Sequence, residues 1–125
     1  MTKFYKFKFK HITDARGTIG IIEKKIKFKI NRVYYFNTKK DSVRGLHSQK
    51  KNECVLIPVI GSLNVQLVFD NKTKLIKLNS KKFDALYISN LVWRKLYNFS
   101  DKNLCIVLNS QRYNKNDYIF DLKKI

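Results

Sequence analysis

The chain is poor in the residues that break or staple a fold. It has one proline, four glycines and two cysteines in 125 residues. So little Pro and Gly excludes a long flexible linker, and the length fits one domain over residues 1–125. Cys54 and Cys105 lie far apart and match no metal-ligand spacing. They are expected as free thiols in apolar strands, since a cytosolic pair stays reduced. No apolar run approaches the roughly 20 residues that cross a bilayer, so no membrane partner is expected. The first residues alternate Lys with aromatics and lack the continuous apolar segment of a signal peptide, so the expected compartment is the cytoplasm.

Acid and histidine are scarce too. Nine Asp and Glu stand against 27 Lys and Arg, for a net charge of +18. Such a charge attracts polyanions. The lysines are dispersed along the chain rather than gathered into a block, so nucleic acid is not the expected partner. The two histidines are His11 and His47. There is no His/Cys cluster and no Gly-rich phosphate loop, and neither a metal nor a cofactor is expected.

What is abundant is alternation. In Phe4 to Lys10, Tyr5, Phe7 and Phe9 share one face and Lys6, Lys8 and Lys10 the other, which is the period of a half-buried strand. His11 reads as a strand-end surface residue. Asp14-Ala15-Arg16-Gly17 is a turn before a strand over 18–22. Residues 25–30 alternate again, with Ile26, Phe28 and Ile30 inward, and Arg32 to Phe36 continue. After Cys54 to Ile60, Gly61-Ser62 reads as a hairpin turn into Leu63 to Phe69. Strands follow over 73–78, 83–89, 91–99 and 104–108, and the tail from Asn114 forms a short helix or an arm. About ten short strands with polar turns, and no internal repeat, predict an all-β sandwich or barrel. Open strand edges favour a homodimer.

The stretch that carries chemistry is Val43 to Cys54, where Arg44-Gly45 precedes His47 and an apolar strand follows. A glycine-bearing turn there aims polar side chains into the mouth of a barrel. The spacing His47-x-Gln49-x-x-x-Glu53 is one that holds metals when a second histidine is present, and Gln is a poor replacement. A neutral imidazole can accept a proton from a carbon next to a ketone. Arg16, Arg32, Arg44 and Arg94 could hold a diphosphate. Trp93, Tyr87 and Tyr97 could stack on a base or sugar.

These pieces together resemble the dTDP-sugar 3,4-ketoisomerases, small cupin-fold enzymes of the WxcM-like group. Asp14-Ala15-Arg16-Gly17 is similar to that family's early D-x-R-G, and Arg32-Val33-Tyr34-Tyr35 to its R-V-Y-Y strand. Arg44-Gly45-Leu46-His47-Ser48-Gln49-Lys50 stands where the family has R-G-x-H-A-H-K. Gly61-Ser62, Leu86-Tyr87-Ile88, Val92-Trp93-Arg94, Asn98-Phe99-Ser100, Val107-Leu108-Asn109-Ser110 and Asp117-Tyr118-Ile119 follow in the family's order.

The resemblance implies a cupin jelly-roll barrel, usually dimeric, that works without a metal. It implies conversion of dTDP-4-oxo-6-deoxyglucose to a 3-keto sugar through an enediol, for deoxysugar and lipopolysaccharide biosynthesis. It implies His47, Gln49 and Tyr35 as the catalytic group, and Arg16, Arg44, Tyr34, Trp93 and Arg94 as substrate-binding residues. Gln49 departs from the pattern, because the family has a second histidine there, and Cys54 stands where it usually has Gln. An alternative reading is therefore a cupin that binds a nucleotide sugar or a partner protein without turnover. Arg-Gly-Leu-His-x-Gln is also similar to the motif of the dTDP-4-dehydrorhamnose 3,5-epimerases.

Overall fold

The computed structural model describes residues 2–23 and 25–122. Among these residues the strands run β1 (Phe4–Lys8), β2 (Lys10–Asp14), β3 (Gly17–Ile21), β4 (Arg32–Phe36), β5 (Arg44–Gln49), β6 (Cys54–Ile60), β7 (Ser62–Phe69), β8 (Lys72–Asn79), β9 (Asp84–Ile88), β10 (Trp93–Tyr97), β11 (Leu104–Asn109) and β12 (Tyr118–Ile119). Single 3-10 turns cover Ser80–Lys82 and Lys115–Asp117. The chain is all-β, as the alternation predicts, with the two-sheet jelly roll of a cupin.

One five-stranded sheet has the order β1-β9-β6-β11-β4 and the other β12-β5-β10-β7-β8, while β2 and β3 form a hairpin of their own. Between the sheets lies a core that includes Leu56, Leu86, Ile88 and Val107 from the first and Leu63, Val65, Leu67, Leu78 and Leu96 from the second. Each such side chain contributes roughly 1.5–3 kcal/mol when fully buried. β6 reads as a continuous apolar run because both its faces are covered. Cys54 and Leu56 face the inner core, and Val55 and Ile57 a second cluster on the outer face of the first sheet.

Three expectations change here. Residues 25–30 alternate but form no strand. Ile26 and Phe28 pack onto the outer cluster, so the segment buries its apolar side against a sheet face without joining a ladder. Ile30 is exposed. The first strand ends at Lys8, because the Phe9 N–H donates to the Phe83 carbonyl at 3.1 Å and the chain turns away into the hairpin.

Gly61-Ser62 is not a hairpin turn but a corner, since β6 and β7 belong to different sheets. Gly61 has φ +80°, and a Cβ there would lie 2.1 Å from Ser100 Oγ and 2.2 Å from the Lys102 carbonyl oxygen. Only glycine fits that close approach. The tail is an arm rather than a helix: after its 3-10 turn, β12 pairs with β5, Tyr118 opposite Gln49 and Ile119 opposite Ser48. Cys54 and Cys105 are free and buried, as expected.

Candidate active site

β5 is the strand that positions the site, and a bulge shapes it. The β5–β10 register shifts between Arg94 and Lys95, so His47 pairs with Arg94 while Gly45 pairs with Lys95. Gly45 has φ +83° and Leu46 φ +60°. The left-handed conformation at Leu46 costs of order 1–3 kcal/mol and re-aims the residues after it. Gly45 is required because a Cβ would sit 2.8 Å from the Arg94 carbonyl oxygen.

The result is a cavity of about 370 Å3 between the sheets, bordered by Tyr34, Arg44, His47, Gln49, Cys54 and Arg94 among others. That volume suits a small-molecule site.

His47 Nδ1 lies 3.0 Å from the Gly45 carbonyl oxygen. A carbonyl can only accept, so Nδ1 carries the proton and Nε2 is left as the free lone pair. The ring is flanked by Tyr118, at 4.8 Å between centroids, and by Phe120 at 6.1 Å. Burial, aided by the Arg94 charge, pulls the imidazole down to about 4, so it is neutral near pH 7.

Arg94 is buried, although it carries a charge. Its Nε and Nη2 donate to the Val92 carbonyl at 3.2 and 2.9 Å, and its Nη1 donates to Gln49 Oε1 at 3.2 Å and approaches Cys54 Sγ at 3.6 Å. A buried cation held by neutral acceptors leaves a positive field at the cavity wall. Burial holds the Cys54 thiol above its usual value despite Arg94. Gln49 is buried as well, and its Oε1 also accepts from Asn52 Nδ2 at 3.0 Å. At the start of β5, the Arg44 guanidinium donates to Thr38 Oγ1 at 2.6 Å and the Asn37 carbonyl at 3.0 Å and lies over the Phe36 ring. Burial pushes the Tyr34 phenol up to about 12.

The structure thus gathers His47, Gln49, Arg44, Tyr34 and Arg94 from three strands, β5, β4 and β10. It leaves elsewhere three of the residues that the resemblance implies, and Arg32, Tyr87 and Tyr97 do not line the cavity. Arg16 sits at the tip of the β2–β3 hairpin, 89% exposed and paired with Asp14 at 2.7 Å, because the turn projects from the body. Trp93 neighbours Arg94 on β10, and strand alternation turns it to the opposite face. Tyr35 borders the cavity, but its side chain is 73% exposed, and it pairs with Ile106 of the outer cluster. Tyr34 is the tyrosine on the inner side.

Sequence reasoning missed Asn52 and Asn109 as supports. Asn52 Nδ2 donates to Asn109 Oδ1 at 2.9 Å, and Asn109 lies directly opposite Cys54. A lone amide ending the apolar run Leu104–Leu108 was the available signal.

The family described as FdtA: WxcM-like, C-terminal matches residues 2–125. The chain belongs to this family. It is 42% identical, over 89% of its length and 81% of the relative's, to the TDP-4-oxo-6-deoxy-alpha-D-glucose-3,4-oxoisomerase of Aneurinibacillus thermoaerophilus. It superposes with a TM-score of 0.90 on a mutant of the 3,4-ketoisomerase QdtA from Thermoanaerobacterium thermosaccharolyticum in complex with TDP-4-keto-6-deoxyglucose, at 38% identity, covering 99% of this chain and 91% of that one. A 3,4-ketoisomerase from Helicobacter canadensis superposes with a TM-score of 0.91 at 36% identity, covering 99% of this chain and 95% of that one. The cavity brings together a neutral imidazole, a buried amide and a fixed positive charge, groups that a proton transfer next to a ketone can use.

Proposed function

We propose that the protein converts TDP-4-oxo-6-deoxyglucose to its 3-oxo isomer by proton transfer through an enediol. The observation that carries this reading is the His47–Gly45 hydrogen bond, which leaves Nε2 unprotonated in a cavity walled by Gln49 and Arg94.

The atoms balance without any co-reactant. His47 Nε2 takes the proton from C3, which is acidic because C4 is a ketone. The C3–H electron pair becomes the C3=C4 bond, and the carbonyl pair moves onto O4. The Gln49 amide and the Arg94 field stabilise that negative charge. The O3 proton passes to O4, O3 becomes the ketone, and C4 takes its proton from the enzyme. Arg44, always charged, faces the diphosphate side. Tyr34 lines the opposite wall.

The same reading makes the protein a homodimer. The facing Ile12 and Ile19 of the hairpin are both exposed, and so are Val33 and Tyr35 on edge strand β4. An isolated two-stranded hairpin is marginal in water, and exposed apolar surface of this kind is covered by a second copy. The enzyme then works in the cytoplasm, where nucleotide sugars are made, and feeds surface polysaccharide such as lipopolysaccharide.

The test is incubation with TDP-4-oxo-6-deoxyglucose in deuterated water, followed by NMR. Loss of the C3 proton signal with growth of a 3-keto product is expected, and His47→Asn should abolish both while TDP still binds. Binding of TDP with no exchange would leave the second reading, a nucleotide-sugar-binding cupin, which the amide at Gln49 favours. Exchange at C3 and C5 without ketone migration would point to an epimerase.

A further inference from the structure

The orientation of one buried amide decides how the carbon proton is returned. Gln49 Oε1 accepts from Arg94 Nη1 and Asn52 Nδ2. A guanidinium can only donate, so the amide cannot be turned over without setting NH2 against a cation. Asn52 is fixed in turn, because its Oδ1 accepts from the Gln111 backbone N–H at 3.0 Å and its Nδ2 is shared between Gln49 and Asn109. Among the described residues nothing accepts from Gln49 Nε2, and that atom is not buried without a partner, so it is open to the cavity.

The remaining cavity groups with a proton to give are His47, Tyr34 and Cys54, since Tyr35 borders the cavity with its side chain largely in solvent. The Cys54 thiol is held against Arg94 at the cavity wall. Tyr34 stands on β4, in the sheet opposite His47.

We propose that Asn52 and Arg94 lock Gln49 as a donor of hydrogen bonds only, that His47 alone carries the proton from C3 to C4, and that the product therefore has an axial C4 hydroxyl. The inference rests on the isomerase reading above. In a D-gluco 4-ketose the hydrogen on C3 is axial, and His47 takes it from the face on which it lies. The same base then returns it to the same face of C4. Axial directions alternate between neighbouring ring carbons, so the incoming hydrogen is equatorial and the hydroxyl axial. Once protonated, His47 is a far stronger acid than the Tyr34 phenol, which favours return by the base that took the proton. Return from the opposite face by Tyr34 would give the equatorial hydroxyl.

The experiment reads product configuration. Unlabelled TDP-4-oxo-6-deoxyglucose is converted, and the H4–H5 coupling of the product is measured. A small coupling, and hence an axial hydroxyl, is expected both for the unaltered protein and for Tyr34→Phe. A large coupling in the unaltered protein would overturn the inference while leaving the isomerase intact. No conversion while TDP binds would overturn the isomerase reading, and this inference with it. Asn52→Asp offers an acceptor where the lock needs a donor, so kcat should fall about 100-fold with KM held. An unchanged kcat in that variant would overturn the lock.

Discussion

His47 and Arg94 face each other as partners in the β5–β10 ladder, a neutral base beside a buried cation. Burial and that cation both disfavour the imidazolium, so the site keeps its base free of protons well below neutrality. The acid limb of kcat/KM should lie near pH 4 rather than 6.5. Arg94→Met should move the limb upward and lower kcat, because the enediolate loses its nearest charge. Burial remains in that variant, so the limb should stop short of 6.5. A pH–rate profile and an NMR titration of the His47 ring check this; an unmoved limb would refute the role of Arg94.

The same shift makes stability depend on pH. The folded protein holds His47 near 4, and an unfolded chain binds that proton at about 6.5. Between those values the unfolded state carries more protons, so stability rises with pH there and is lost as pH falls through the window. His47→Gln should flatten that part of the stability curve, measured by urea unfolding at a series of pH values.

Gly61→Ala should destabilise the fold by roughly 3 kcal/mol, combining left-handed strain with a clash against backbone. The Cβ would meet Ser100 Oγ and the Lys102 carbonyl at the corner where the chain changes sheets. The Ser62 N–H to Ser100 Oγ and Ser100 N–H to Ser62 carbonyl bonds, at 2.9 and 3.0 Å, would be disturbed together. A urea midpoint equal to that of the unaltered protein would show that the corner can relax.

The exposed outer side of β4 should govern assembly. Tyr35→Glu places a charge among Val33 and its apolar neighbours and should shift sedimentation from dimer to monomer. Far-UV circular dichroism should stay unchanged, since the side chain is largely exposed within one chain. A dimer of undiminished affinity would place the interface elsewhere.

Much of the fold was legible because strand alternation is a local property. Two-residue periodicity marks a buried face whatever lies opposite, and it found most ladder strands, but not β2, β12 or β5, whose Arg44–Gln49 stretch reads as a turn. It failed over residues 25–30, where Ile26 and Phe28 bury the same apolar stripe against a sheet face without backbone pairing. It also failed at Gly61, where a hairpin and a corner between sheets place the same glycine between the same strands.

His47, Gln49 and Arg44 were readable because one short strand carries all three. Periodicity also put Trp93 and Arg94 on opposite faces of one strand, but not which face was inside. That was decided by the pairing of β10 with β5 and β7, which turns Arg94 inward and Trp93 outward. In the same way the pairing of β4 with β11 chose Tyr34 over Tyr35. The sequence by itself determined the all-β class and the family. Only the tertiary structure decided the direction of the Gln49 amide and the depressed basicity of His47, because both depend on groups that the chain brings together from β5, β10 and the Asn52 and Asn109 amides.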